Sequence, residues 1–393
     1  MAFPPSMHRP ALYASIGAEL IHFDLDVEAA TLTRRGSVAL PANIQYVWPH
    51  VSRRFLYAAT SDSASGVGGH VGNMHHVSAF AIDPPSGGLA PHGEPIPLPT
   101  RPIHMTTDIP SRHVLVAFSN PSGLRVYRIN KDATLGEEVP PRAPIDPGIY
   151  GHQVRVTPDN KLCILVARGH DATKDMPEEP GALKVFAYRD GVLAGEVSIA
   201  PNGGYGFGPR HLDFHPENPF VYVSLERQNR LDMFRLDGDT VSPEPVFAKP
   251  TLAEPDNIRG RQAVGTVHVH PNGRFVYVAN RASSTAEFNG RQVFRGGENT
   301  LAVFGIDPAT GEPNPIQHVD THGIHCRTFH IDPSGKLLVA AHIMGLPVRD
   351  GDTVRDVPAC LSLFRVATDG KLTFVRKYDV ELGGKYLWWM GII

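Results

Sequence analysis

Residues 265–281 read GTVHVHPNGRFVYVANR: a short apolar run, a Pro-Asn-Gly turn, and a second run of alternating Val and Tyr. Apolar runs of this length on either side of a Pro/Gly turn are β-hairpin chemistry. The phrase returns as NIQYVWPHVSRRFLYAAT from Asn43, HMTTDIPSRHVLVAFSN from His104 and HQVRVTPDNKLCILVAR from His152. It returns again as RHLDFHPENPFVYVSLE from Arg210 and RTFHIDPSGKLLVAAHI from Arg327. The anchoring prolines, Pro49, Pro110, Pro158, Pro216, Pro271 and Pro333, recur at a spacing of about 50–60 residues, which marks an array of like units.

Working outward from the hairpin, each copy is followed by a third apolar run of the type LRVYRIN, LKVFAYRDG, LDMFRLDG, LAVFGIDPATG or LSLFRVATDG, and then by an edge-like run such as KLTFVRKYDV. Four antiparallel strands make one propeller blade. Six copies are complete. ALYASIGAELIHFDLDVEAATLT near the start lacks an innermost strand, and KYLWWMGII at the end supplies a lone apolar one. The prediction is an all-β, seven-bladed β-propeller, one domain over 1–393, closed by pairing 11–37 with 385–393. Insertions at 63–76, 169–182, 282–299 and 344–359 fall between the second and third strands of their blades. They are expected on one rim, where loops build a mouth.

Hydrophobic residues make up 41% of the 393 and charged residues 20%, with a formal net charge of −3. Interspersed signs argue against nucleic-acid or membrane partners, which need clustered Lys and Arg. The first residues, MAFPPSMHRPALYASIG, do not read as a secretory signal, and no stretch approaches the ~20 apolar residues of a membrane span. A cytoplasmic protein is expected. Cys163, Cys326 and Cys360 lack disulfide or metal spacing and read as buried free thiols. A closed ring leaves no edge that must pair, so the default is a monomer, with YLWWM as a homodimer contact if it does not pack into the last blade.

The repeat also ranks the polar residues. Innermost strands line the central channel, so equivalent positions form rings around it. Six residues before each proline stand Asn43, His104, His152, Arg210, Gly265 and Arg327; ten after it stand Ala59, Asn120, Arg168, Glu226, Arg281 and Ile343. Antiparallel pairing brings both sets to one mouth. Four arginines against one carboxylate favour a small anion, because guanidinium matches carboxylate or phosphate oxygens as a fork.

At GHQVRVTPD, FGPRHLDFHP followed by VYVSLE, VHVHPNGRFVYVANR and RTFHIDPSGKLLVAA, the chain resembles the seven-bladed lactonase propellers, the group that includes propeller-type 6-phosphogluconolactonases and carboxymuconate cyclases. The resemblance covers nearly the whole chain. It implies catalytic roles for His152, Arg210, Glu226 and Arg281. His104, Arg168, His211, His268 and Arg327 are the further candidates for substrate contact.

Lactone hydrolysis needs a base for water, a stabiliser for the oxyanion and an acid for the alkoxide. These groups supply all three without a cofactor, and which of His152 and Glu226 is the acid stays open. The same parts serve a carboxymuconate-type cycloisomerase, and a propeller rim also serves as a protein-binding platform. A metal reading rests on the His268/His270 pair and on His318, His322 and His325; no carboxylate sits at a convincing offset, so no metal is expected.

Overall fold

The computed structural model describes residues 10–64 and 69–393; residues 1–9 of the single-domain reading, and 65–68 of the first rim insertion, lie outside them. Seven antiparallel sheets follow one another around an axis. Blade 1 joins Ala11–Ile16, Glu19–Asp26 and Thr31–Ala39 to Met390–Ile392, which pairs with Ala11–Ile16 as its innermost strand. The expected closure is therefore present. The innermost strands of blades 2 to 7 are Asn43–Pro49, Pro102–Thr107, Gly151–Val156, Pro209–Phe214, Gln262–Val269 and Ile324–Ile331. In blades 2 and 5 two short segments share the outer edge. No helix of the described residues is long and apolar enough to cross a membrane.

Alternation explains why the second strands read as unbroken apolar runs. Successive side chains point to opposite faces of a sheet, and each blade is covered on both faces. Leu12 and Ala14 pack on Leu337 and Val339 of blade 7, while Ala11 and Tyr13 pack on Leu56 and Ala58 of blade 2. The pattern repeats around the ring. Buried tyrosines add a directional bond at four of the interfaces: the hydroxyls of Tyr13, Tyr57, Tyr222 and Tyr277 donate to carbonyls of Gly87, Ala133, Gly311 and Gly370 in the next blade. The tail packs within the ring, with Leu387 against blade 7 and Trp389 between blades 1 and 2.

The rim insertions do follow second strands. Two carry hairpins of their own, Thr285–Phe288 with Arg291–Phe294 and Leu346–Asp350 with Thr353–Val357. Arg291 of one is 2.7 Å from Asp356 of the other.

The hairpin turn shifts the proline register. What recurs is a backbone bond closing the turn, donated by His50, Asp108, Thr157, His215, His270 and Asp332 to the carbonyl five residues later. Proline follows that donor directly in blades 4 to 7, but Pro49 precedes it and Pro110 comes one residue late. The equivalents of His152, Arg210, Gly265 and Arg327 are thus Gln45 and Ile103, not Asn43 and His104. Likewise Ser61 and Ser119 replace Ala59 and Asn120.

Candidate active site

Each of those equivalent positions coincides with a β-bulge. Pairing between first and second strands slips between Ile44 and Tyr46, opposite Ile103, and between Gly151 and Gln153, Pro209 and His211, Val264 and Val267, and Cys326 and Thr328. A bulge inserts one unpaired residue and re-aims its side chain. His152, Arg210 and Arg327 occupy such positions. The slip also lets adjacent residues share a direction, and His211 lies 3.4 Å from Arg210 Nη1.

Glu226, one residue past its strand in blade 5, is the centre. Its backbone is fixed on both sides, the N–H donating to Gly208 and the carbonyl accepting from Val264. Arg168 Nη1 of blade 4 donates to Oε2 at 2.6 Å, Arg281 Nη2 of blade 6 donates to Oε1, and Arg210 Nε stands 3.6 Å from that same Oε1. Burial pushes the Glu226 carboxyl up, but Arg281, Arg168 and Arg210 together hold it well below the carboxylate range. It is ionised. Arg210 is different: its side chain is 2% exposed, and burial and then Arg281 work against its charge. Its nearest carboxylate oxygen is already bonded to another guanidinium. Arg327 donates Nε to the Trp388 carbonyl at 3.2 Å and lies 4.5 Å over the Trp388 ring.

Below this cluster runs a column of imidazoles. His152 and His211 have ring centroids 5.2 Å apart, His211 and His104 6.0 Å, and His104 lies tilted against Tyr46 at 3.9 Å. Burial first, with Arg210 adding, holds His152 and His211 well below the ordinary histidine value; for His104 Arg155 also contributes. All three are neutral at pH 7. His104 is fully buried, with neither ring nitrogen partnered among the described residues.

His268 does not join them. It stands two residues before its turn-closing residue, in a second ring with Trp48, Thr106, Arg155, Asp213 and His330. There Asp213 Oδ1 accepts from Arg155 at 3.2 Å and Oδ2 from the Val269 N–H at 3.0 Å, with His268 Nδ1 at 3.4 Å. The other imidazoles of the metal reading are also scattered: His270 and His318 bond to the carbonyls of Gly335 and Thr251, and His322 lies tilted against Phe374. Among the described residues no three His, Cys, Asp or Glu side chains are placed to hold a metal ion.

Sequence reasoning passed over Arg101 and Tyr150, and took His325 only as a metal candidate. Arg101 donates to Gln45 Oε1 at 2.6 Å, Tyr150 lies under Arg168 at 4.6 Å, and His325 Nε2 is 3.3 Å from Arg281 Nη1. All three stand two residues before the bulge, so the turn-closing register would have found them.

Comparison with known proteins agrees with this architecture. Residues 11–345 match the family model described as Lactonase, 7-bladed beta-propeller. A 6-phosphogluconolactonase of Bacillus subtilis is 28% identical over 340 residues, covering 84% of this chain and 86% of the relative. One from Cronobacter sakazakii is 27% identical over 339 residues, covering 85% and 88%. Among solved structures, a periplasmic gluconolactonase of Pseudomonas aeruginosa superposes with a TM-score of 0.73 at 19% identity, covering 98% and 99%. A Lactobacillus plantarum protein gives 0.70 at 20% identity, covering 98% and 100%.

Proposed function

Since the chain belongs to the seven-bladed β-propeller lactonase family and is a lactone hydrolase, we propose that its substrate is a small anionic lactone, bound over Glu226 and hydrolysed without a cofactor. The observation that carries this reading is Arg210. A fully buried guanidinium without a carboxylate of its own is costly unless a ligand completes its neutralisation. Arg101, Arg168, Arg281 and Arg327 surround the same mouth, so the cationic excess is large enough to take an acidic substituent as well as a developing oxyanion.

The protonation states divide the labour. His152 is neutral and accepts a proton from water as the water oxygen attacks the lactone carbonyl carbon. Arg210 and Arg281 stabilise the tetrahedral oxyanion. Collapse breaks the ring C–O bond, and the imidazolium of His152 returns its proton to the departing alkoxide, giving the hydroxy acid. Glu226 fixes Arg168 and Arg281 and stabilises the transient imidazolium. Nothing in the geometry favours the lactone-forming direction or a binding platform.

The test is a pH-indicator screen of sugar lactones, phosphorylated lactones and muconolactone-type acids, with Glu226→Gln and His152→Ala run alongside. Acid release on one class, abolished in both variants while they stay folded, supports the reading. Turnover retained by the variants would remove these residues from the mechanism.

A further inference from the structure

Tyr150 and His325 share a backbone conformation that side chains rarely adopt, with φ of 58° and 57°. Left-handed values cost a bulky residue strain that glycine escapes. Other non-glycine residues of this kind, such as Asn160, Asp190 and Asn229, sit in strand-to-strand turns where Asn and Asp tolerate the geometry. Tyr150 and His325 instead stand at the beginnings of the innermost strands of blades 4 and 7, one residue before Gly151 and one after Ile324, at equivalent positions two residues before the bulge. Their counterparts Asn43, Arg101, Gly208 and Ala263 have no positive φ.

Each strained residue meets one arginine of the Glu226 clamp. The Tyr150 carbonyl accepts the Arg168 N–H at 2.9 Å, and its ring lies 4.6 Å from the Arg168 guanidinium carbon. A π face holds a cation while leaving its N–H groups free for other acceptors. At His325 the backbone N–H donates to Asn299 Oδ1 at 2.9 Å, and Nδ1 is 2.9 Å from Ser283 Oγ. Arginine only donates, so Nε2 is the acceptor toward Arg281 and Nδ1–H points at Ser283. The ring is therefore fixed in one tautomer by a residue of the neighbouring blade.

We infer that Tyr150 and His325 are paired positioning residues: their left-handed backbone aims one ring at Arg168 and the other at Arg281, so that both guanidiniums stay on Glu226 in catalytic register. This rests on the lactonase site proposed above. Strain of this type persists where surrounding structure over-determines it, and it concentrates at functional sites.

The test is Tyr150→Gly and His325→Gly. Both remove the ring and relieve φ, so melting temperature is expected to hold or rise while kcat falls about 10–10²-fold, the scale of a small misplacement of catalytic groups. KM is expected to change less than kcat. Tyr150→Phe restores the π face and should recover most of the loss. Glycine variants that keep kcat within about twofold, or lose rate only in step with stability, would overturn the inference. Should either glycine variant fold poorly, Tyr150→Leu against Tyr150→Phe decides, because both keep a bulky side chain and only Phe keeps the π face; equal rates would overturn it. Glu226→Gln in the same assay separates the two levels. If Glu226→Gln stays active, the site reading has failed; if it is dead while the glycine variants are not, only the positioning pair has.

Discussion

The channel carries two polar rings with opposite charge logic. At the mouth, the single carboxylate of Glu226 faces the three guanidiniums of Arg168, Arg210 and Arg281, with Arg101 and Arg327 close behind, so two positive charges are uncompensated in the contact shell. In the second ring a single arginine meets a single aspartate: Arg155 lies over Trp48 at 5.2 Å and bonds Asp213, whose remaining oxygen is taken by the Val269 N–H and His268. Burial pushes the Asp213 carboxyl up, but Arg155 and its hydrogen bonds bring it to about 2. A balanced buried network needs no ligand; an unbalanced one is stable only where the fold holds it open for a missing anion. Function is assigned to the mouth on that difference, although both rings are built from the same strands.

The largest expected effect breaks the comparison at Arg210. Replacing it with Met removes a buried cation flanked by like charges, so kcat/KM should fall about 10²–10³-fold, as for loss of one oxyanion donor, while stability holds or rises. Kinetics and a denaturant melt on the same preparation check it. Loss of stability with activity intact would make Arg210 structural. The reverse is expected of Asp213→Ala. It strands the half-buried Arg155 and frees the Val269 N–H, costing about 3 kcal/mol of unfolding free energy at the low end for a broken buried pair. Its kcat/KM should stay within a few-fold. A collapse of rate in a folded Asp213→Ala protein would merge the two rings into one site.

Most of the fold was legible because a blade repeats its punctuation: Pro and Gly turns, Val-Tyr-Val strands and the two end fragments each required a partner that only ring closure supplies. His152, Arg168, Arg210, Glu226, Arg281 and Arg327 were legible for the same reason. The errors share one physical cause. Proline is the conspicuous landmark of the turn, but the recurring constraint is the turn's hydrogen bond, and proline tolerates several positions around it. Counting from Pro110 sets His104 level with His152, whereas the turn's hydrogen bond makes it the equivalent of His211, one step down the channel. The bulges were invisible, since an unpaired residue leaves no compositional mark, and without them Tyr150 and His325 could not be aimed at arginines. His268, a candidate for substrate contact, is also on a channel strand, but it stands two residues before its turn-closing residue and so falls in the second ring.

The smallest effect is a pH dependence that separates the rings by their histidines. Burial holds His104, His152, His211 and His325 well below 6.5, brings His342 to about 4, and, with His268 adding, brings His330 of the second ring to about 3. In the unfolded chain these rings titrate near 6.5, so below that value the unfolded state binds more protons. Stability is thus complete above about pH 6.5 and is lost as pH falls, at about 1.4 kcal/mol per pH unit for each such histidine. Activity should behave otherwise. His152, faced by Arg210, Glu226, Arg168, Arg327 and His211, stays neutral in the native protein through this window, and Glu226 stays ionised. Between about pH 7.5 and 5.5 the melting temperature should therefore fall while kcat/KM of the folded fraction holds. An acid limb in kcat/KM at or above 6.5 would mean that the base is a solvated histidine, and the buried mouth would lose its claim to the chemistry.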